Sequence, residues 1–140
     1  AMAFTFQYLY RFFRNAAHLL GAGSASLEMG LRAIESDDTV VVISFAPYSE
    51  EAVRTIEAAR AAGCKLVAIT DSQLSPVALV ADASVIIGVE SPSFFPSTVA
   101  GIATIESLIA LLVSRGGSQV VERIERAERQ LFATGAYIPI

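Results

Sequence analysis

Apolar and polar positions alternate along this chain in blocks that predict strands and helices in turn. Continuous apolar runs rich in β-branched residues cover residues 39–45, 65–70 and 85–88, and an amphipathic stripe covers residues 49–62. Strands without polar alternation are usually buried on both faces of a parallel sheet, and strand–helix–strand units cross over in a right-handed sense. The pattern therefore predicts an α/β fold, a parallel sheet with helices on both faces.

Two more helices are predicted in the C-terminal third. Residues 99–113 form the longest apolar run, with Ser97 as a plausible N-cap and the glycine pair 116–117 at the end. Glu106 interrupts this run, which is shorter than the roughly 20 apolar residues that span a bilayer, so we expect a buried or interface helix.

The following segment, residues 118–134, has an apolar stripe on one face of a helix. On the other face, Glu122 and Arg126 are four residues apart, as are Glu125 and Arg129. Charges at this spacing pair along a helix, so the pattern predicts a surface helix with two ion pairs.

In the N-terminal region, the pattern of apolar residues does not distinguish a strand from a helix. Aromatic residues between positions 4 and 13 fit both a half-buried strand and a helical stripe. A short strand is predicted at residues 18–20, followed by a turn at 21–26 and a helix through Ile34. His18 has no carboxylate, cysteine or second histidine nearby in sequence, and we assign it no chemistry and predict no metal site.

The composition limits the number of domains, the cellular compartment and the binding partners expected of this chain. A chain of 140 residues with 54% hydrophobic content is expected to form one domain, residues 1–140. The single cysteine, Cys64, cannot form an internal disulfide and is read as a buried side chain; with no signal peptide pattern, this favours the cytoplasm. The net charge is −4 and the basic residues are scattered, which argues against DNA binding by this chain alone.

The junction between the first apolar run and the helix at residues 49–62 is the best candidate for an anion site. Ser44 and Ser49 lie at the carboxyl end of the strand. Ser49 is predicted to cap the N-terminus of the helix and Gly63 its C-terminus. The free backbone N–H groups of a helix N-terminus attract a phosphate or carboxylate. The alternative is that the two serines only complete a turn and a cap.

Three ordered segments together resemble a known family. They are residues 40–49, residues 68–76 with the Ala81-Asp82 pair, and residues 90–95 with the sequence Glu-Ser-Pro-Ser-Phe-Phe. The set resembles the sugar isomerase (SIS) domain of RpiR-type bacterial transcription regulators over nearly the whole chain. The resemblance implies a doubly wound, flavodoxin-like α/β domain, a parallel sheet with helices on both faces, that binds a phosphorylated sugar and controls a separate helix-turn-helix domain. It also favours a helix at residues 4–15.

The resemblance implies particular ligand-binding residues in the first segment. SIS domains usually hold the phosphate in a Ser-x-Ser-Gly-x-Thr-like loop. Ser44 matches the first hydroxyl of this loop and Ser49 the last, whereas Ala46 and Pro47 replace the middle serine and glycine. Tyr48 supplies a phenol that would bind the ligand or simply pack.

In the second segment, Thr70, Asp71 and Ser72 are expected at the carboxyl end of the neighbouring strand, where they would reach sugar hydroxyls. The structural alternative for these three residues is an Asx-type turn leading into a helix start at residues 75–76.

The resemblance also bears on assembly. SIS domains normally open with a strand and a Gly-x-Gly-x-Ser-like loop, so we interpret this chain as a fragment that lacks its first strand and its helix-turn-helix domain. A sheet with an unpaired edge and exposed apolar surface tends to associate with another copy. A homodimer or higher oligomer is expected, with residues 4–13 and 99–113 as interface candidates.

Two other functions remain open at this point. An aldose-ketose phosphate isomerase would need a general base, and the acidic residues near the expected pocket, Glu50, Glu51 and Glu90, are weak candidates. An oligomerisation module that has lost ligand binding is the second alternative. We expect a sensor domain with no catalytic residues and no cofactor.

Overall fold

The computed structural model describes residues 1–21 and 27–140, which form two compact units. The sheet unit comprises Leu19–Gly101, and the helical unit comprises Ala1–His18 and Ile102–Ile140. The turn predicted at residues 21–26 lies outside the described residues, apart from Gly21.

Three parallel strands form the sheet of the sheet unit. They are β1 (Thr39–Ile43), β2 (Lys65–Thr70) and β3 (Ala83–Ile86), in the order β1-β2-β3. This confirms the predicted parallel sheet of an α/β fold. The third strand begins two residues earlier than residues 85–88, because pairing with β2 sets its limits: Ala83 lies opposite Val67, and β2 ends at Thr70, opposite Ile86.

One long helix covers the sheet and was predicted with its caps. Helix α3 (Glu50–Ala62) begins after Ser49, whose Oγ accepts a hydrogen bond from the backbone N–H of Ala52 at 3.2 Å. It ends at Gly63, which adopts the left-handed conformation with φ of 72°. The shorter helix α2 (Leu27–Arg32) packs on α3, and Arg54 forms an ion pair with Glu28 across the two helices.

The hydrophobic core of the sheet unit lies between the sheet and α3. It is formed by buried side chains of β1, β2 and α3, together with Cys64 and Val77: Val40, Val42, Leu66, Ala68, Ala52, Ile56 and Ala59. The prediction that Cys64 is buried is confirmed, since its Sγ donates a hydrogen bond to the carbonyl of Ala59 at 3.4 Å. Burial raises the pKa of this thiol, so Cys64 is a structural side chain and a poor nucleophile.

The strand predicted at residues 18–20 is wrong. These residues pair with no strand among those that the structure describes, and His18 is exposed. The run is too short to supply more than a few backbone hydrogen bonds. Leu20 packs instead against α2, where a methyl group added at Gly30 would lie 2.8 Å from the Leu20 Cδ2 atom.

The helical unit contains two helices of contrasting length. Helix α1 (Met2–Tyr10) confirms that a helix lies at the N-terminus, but it ends at Tyr10, five residues before the end of the favoured range 4–15. Helix α4 (Val99–Ala133) begins beside Ser97, whose Oγ accepts a hydrogen bond from the backbone N–H of Val99 at 3.3 Å. The backbone leaves the helical region at Gly117, where φ is 70° and ψ is −165°. The predicted end of the first helix at the glycine pair is therefore a break in α4.

By length and composition alone, α4 is a candidate for crossing a membrane. The break at Gly117 limits its apolar first part to residues 99–116, which extend roughly 27 Å at 1.5 Å per residue. The hydrocarbon core of a bilayer is about 30 Å thick. The candidate is therefore weak. Val99 and Leu111 of this part are 75% and 57% exposed, so the helix is not buried within this chain, and its role as an interface helix stays a prediction.

Replacing Gly63 by alanine tests the left-handed cap of α3. An added methyl group meets no atom within 4 Å at this position, so the cost is conformational and should be about 1–2 kcal/mol. Urea unfolding measures this loss of stability. Gly63→Asn is the matched control and should recover part of it, because asparagine tolerates the left-handed region. Equal stability of Gly63→Ala and the unsubstituted chain would contradict the assignment.

Candidate functional site

The predicted site residues meet at the carboxyl edge of the sheet. Ser44 follows β1 and Thr70 ends β2. The backbone N–H of Ser44 donates to the carbonyl of Ile69 at 3.1 Å, which continues the pairing of the two strands beyond β1. Parallel pairing thus places residues 44–49 beside residues 70–72, as the sequence predicted, at the edge where parallel sheets bind ligands.

Asp71 joins the two segments of this edge. Its Oδ1 accepts hydrogen bonds from the hydroxyl of Tyr48 at 3.0 Å and from Oγ1 of Thr70 at 3.2 Å. Its Oδ2 accepts one from the backbone N–H of Ala46 at 3.3 Å, next to the cis peptide bond between Ala46 and Pro47. Three donors on one carboxylate hold the turn after β1 against the end of β2. We call this arrangement the Asp71 clamp.

The clamp changes the acidity of its members. Partial burial favours the neutral acid, but hydrogen bonds from the backbone N–H of Ala46, from Tyr48 and from Thr70 outweigh it, so the pKa of Asp71 is lowered. The pKa of Tyr48 is raised by burial and by its bond to the carboxylate. Near neutral pH the edge thus holds a charged carboxylate that accepts protons weakly.

The hydroxyl groups of the edge differ in what they can still bind. Ser49 Oγ accepts from Ala52 and Ser72 Oγ accepts from the backbone N–H of Leu74 at 3.1 Å, which leaves each hydroxyl hydrogen for another acceptor. Thr70 and Tyr48 donate to Asp71 and keep only their acceptor capacity. The Ser44 hydroxyl has no hydrogen-bond partner in the described part of the chain, although the residue is only 8% exposed.

The N-terminus of α3 also lies at this edge. Ser49 satisfies the N–H groups of Ala52 and Val53, the latter through its carbonyl at 3.3 Å, and the preceding N–H groups of Glu50 and Glu51 have no acceptor among the described residues. These groups favour an anion. The exposed carboxylates of Glu50 and Glu51 oppose one, so an anion here depends on hydroxyl donors as well as on the helix terminus.

For Tyr48 and Asp71 the sequence left both a ligand-binding and a structural role open. In the structure the two side chains are bonded to each other, a contact that no local sequence signal indicates. Among residues 1–21 and 27–140, no group of three or more histidine, cysteine or acidic residues is placed to hold a metal ion. A hydroxyl-lined edge with a helix N-terminus is suited to binding a phosphate or a polyol.

Comparison with known proteins identifies the family of this α/β domain. The SIS domain family model matches residues 5–114. The chain belongs to the SIS domain family. No curated protein sequence is significantly similar to it.

Solved structures support the same fold. The sugar isomerase domain of an RpiR transcription factor from Sphaerobacter thermophilus has a TM-score of 0.82 and 22% identity, covering 91% of this chain and 72% of that one. The Vibrio vulnificus NanR protein, solved with ManNAc-6P, has a TM-score of 0.73 and 11% identity over 96% of this chain and 53% of that one. A candidate sugar-phosphate isomerase from Listeria monocytogenes has a TM-score of 0.70 and 23% identity, covering 81% and 62%.

Replacing Asp71 by asparagine tests the clamp. The amide cannot accept all three hydrogen bonds, and the expected loss of stability is about 1–3 kcal/mol at pH 7. The folded pKa of Asp71 is lowered, so its contribution is present above the ordinary pKa of about 3.9 and is lost as pH falls through the folded value. Urea unfolding at pH 7 and pH 3 should show the difference from the unsubstituted chain shrinking at the lower pH.

The matched control for this experiment is Asp37→Asn, which changes an exposed aspartate with no hydrogen bond through its side chain in the described part of the chain. It should leave stability nearly unchanged at both pH values. A loss in Asp71→Asn that is no larger than in Asp37→Asn would show that the carboxylate does not hold the edge together.

Proposed function

We propose that this chain is the effector-sensing domain of a transcription regulator and binds a phosphorylated sugar at the carboxyl edge of its sheet. The observation that carries the proposal is the set of hydroxyl groups which the pairing of β1 with β2 brings beside the N-terminus of α3. Hydroxyl donors and free backbone N–H groups are suited to phosphate, and further hydroxyls at the same edge are suited to a sugar.

The Asp71 clamp refines the roles proposed for the six site residues. Ser44 and Ser49 donate to the phosphate, because the Ser44 hydroxyl has no partner among the described residues and Ser49 retains its hydroxyl hydrogen. Ser72 donates and Thr70 accepts at the sugar hydroxyls. Tyr48 and Asp71 act mainly by holding the turn in the shape that presents the serines.

The comparisons support this choice of ligand. The NanR structure contains ManNAc-6P, a phosphorylated sugar, and the Sphaerobacter protein is a transcription factor with a sugar isomerase domain. Regulation would then follow from coupling: a ligand that favours one arrangement of subunits also changes the affinity of attached helix-turn-helix domains for DNA. The setting for this function is the cytoplasm.

An isomerase is the alternative that the Listeria structure brings forward. Isomerisation of a sugar phosphate requires a general base with a pKa near the working pH. Asp71 is the carboxylate at the centre of the edge, and its lowered pKa and three donors make it a poor base. This observation favours sensing over catalysis.

Thermal unfolding with a panel of pentose, hexose, amino-sugar and three-carbon phosphates tests the proposal. Each is paired with its unphosphorylated sugar and with inorganic phosphate. A ligand present at 100 times its dissociation constant should stabilise the chain by about 2.7 kcal/mol. Ser44→Ala should lose most of this stabilisation and keep the fold, because the Ser44 side chain has no partner in the described residues.

Ser84→Ala is the control, since Ser84 is an exposed residue of β3 away from the carboxyl edge of the sheet. It should respond to the ligand like the unsubstituted chain. An unchanged response in Ser44→Ala would place the ligand elsewhere, and a sugar phosphate that is turned over would favour the isomerase. The absence of any phosphate-dependent stabilisation would favour an assembly module.

We also propose that the chain self-associates, as expected for a regulator whose subunits rearrange. One of the two helices predicted as interfaces, α4, exposes several large apolar side chains: Val99, Leu111 and Leu112 are 75%, 57% and 40% exposed. Apolar surface of this extent commonly marks an interaction site.

Sedimentation velocity at tens of micromolar should therefore give a mass of at least about twice the 14.8 kDa of one chain. Leu111→Glu should shift the population toward the monomer, because a charge buried in an apolar interface is unfavourable. Ser114→Glu, on an exposed position of the same helix, is the control. A monomeric mass for the unsubstituted chain at this concentration would contradict the proposal.

A further inference from the structure

Charge is divided unevenly between the two units. The sheet unit has ten acidic and four basic residues, a net charge of −6, whereas the helical unit has four acidic and six basic residues, a net charge of +2. All six basic residues of the helical unit are arginines, and residues 1–18 contain no acidic residue. A protein that is acidic overall thus concentrates guanidinium groups in one unit.

Three of these arginines line one cavity. Within the helical unit, Arg11 from the end of α1 and Arg123 and Arg126 from the second part of α4 line a cavity of about 450 Å³. Asn15 and Gln130 add polar groups to its wall, and no acidic residue lines it. We call this the arginine cavity.

Guanidinium groups converge beside the cavity. Arg123 donates from Nη1 to the carbonyl of Phe13 at 3.3 Å, and Arg14 donates from Nη1 to the same oxygen at 3.4 Å. Phe13 also lines the cavity and is 4% exposed. The guanidinium group of Arg123 is therefore hydrogen-bonded to a buried residue of the cavity wall. Like charges gathered on one neutral oxygen repel each other, and an anion would relieve this repulsion.

Ordinary structural roles explain the positions of only some of these arginines. Arg11 and Arg14 follow the last turn of α1, where the helix dipole favours a cation. Arg123 and Arg126 are inside α4 and have no such explanation. The ion pair that the sequence predicts between Glu122 and Arg126 is wrong: in the described part of α4, only Arg129 and Glu125 approach within 4.0 Å.

We infer that the arginine cavity binds the phosphate group of a small organic molecule, at a site separate from the carboxyl edge of the sheet. A phosphate monoester has a charge of about −1.5 to −2 and three acceptor oxygens, which suits several guanidinium groups better than a single carboxylate does. The volume falls within the range of about 300–1,000 Å³ typical of small-molecule sites.

The neighbouring surface has room for the rest of such a molecule. A more apolar groove of about 470 Å³ shares Arg11, Phe12 and Gln130 with the arginine cavity and is also lined by Phe4 and Tyr8. A phosphate in the cavity would therefore have an aromatic surface beside it for its organic part. A nucleic-acid backbone would require basic residues spread along a stripe, whereas these arginines are gathered in one concavity.

Isothermal titration calorimetry of the whole chain with pyrophosphate and with phenyl phosphate tests this site. Arg126→Gln should weaken the binding of both by at least tenfold. Arg126 forms no hydrogen bond or ion pair in the described part of the chain, so this substitution should leave the fold intact. Arg123→Gln should have a similar effect on binding, but it also removes the bond to Phe13.

Two controls distinguish binding at the arginine cavity from a general effect of charge and from binding at the proposed effector site. Arg115→Gln removes one positive charge from α4 outside the cavity and should change affinity less than twofold. The loss caused by Arg126→Gln should be equally large in the Ser44→Ala background, which distinguishes this site from the proposed effector site. Equal losses in Arg115→Gln and Arg126→Gln would show a general effect of charge and overturn the inference, as would undetectable binding by the unsubstituted chain.

The source of the phosphate is tested in the same experiment. Inorganic phosphate is titrated as a third ligand. Phenyl phosphate should bind more tightly than inorganic phosphate, because the groove contacts its ring, and Phe4→Ala should remove that advantage. Binding of a duplex DNA of random sequence that is lost in Arg126→Gln, without binding of phenyl phosphate, would overturn the assignment to a small molecule.

Discussion

The structure depends on the position of β2 as the central strand of the sheet. Leu66, Ala68, Ile69 and Thr70 are all nearly or completely buried, and β2 pairs with parallel neighbours on both sides. Because the strands are parallel and in register, their carboxyl ends share one edge, and the segments that follow β1 and β2 become neighbours although they are more than 20 residues apart in sequence. The candidate site is thus a direct consequence of strand pairing, and α3 completes it by starting where the turn after β1 ends.

Within that edge, the residues divide into those that hold its shape and those that remain available to a ligand. Asp71 uses its carboxylate on Tyr48, Thr70 and the backbone of Ala46, which stiffens a turn that lacks the glycine found in the usual SIS loop. Ser44 has no such bond and is the side chain of the edge with the most unused hydrogen-bonding capacity. A turn fixed before a ligand arrives loses less conformational freedom on binding.

The sequence alone was sufficient for the elements whose signals are local. The apolar runs of β1 and β2, the Ser49 and Gly63 caps of α3 and the glycine pair in α4 each depend on a few adjacent residues, and the structure confirms them. Features that depend on pairing between distant segments could not be predicted. Asp71 reaches Ala46 only through the register of two strands, Arg123 reaches Phe13 across 110 positions, and Leu20 packs on α2 instead of extending the sheet. Even the four-residue spacing of Glu122 and Arg126 was misleading, because Arg126 lines a cavity formed with α1.

The unequal division of charge would affect how fast a proposed anionic ligand arrives as well as where it binds. An anionic sugar bound as proposed would approach a unit with a net charge of −6, so long-range repulsion would slow its encounter at low ionic strength. Salt screens this repulsion over about 10 Å at 0.1 M, and the association rate should rise as salt is added. Most anion receptors have a positive electrostatic field, and their rates of association with the anion fall as salt is added. In this protein, the kinetics of ligand capture would therefore be governed by the field of the surrounding surface, while retention depends on neutral hydroxyl and amide donors that salt hardly affects.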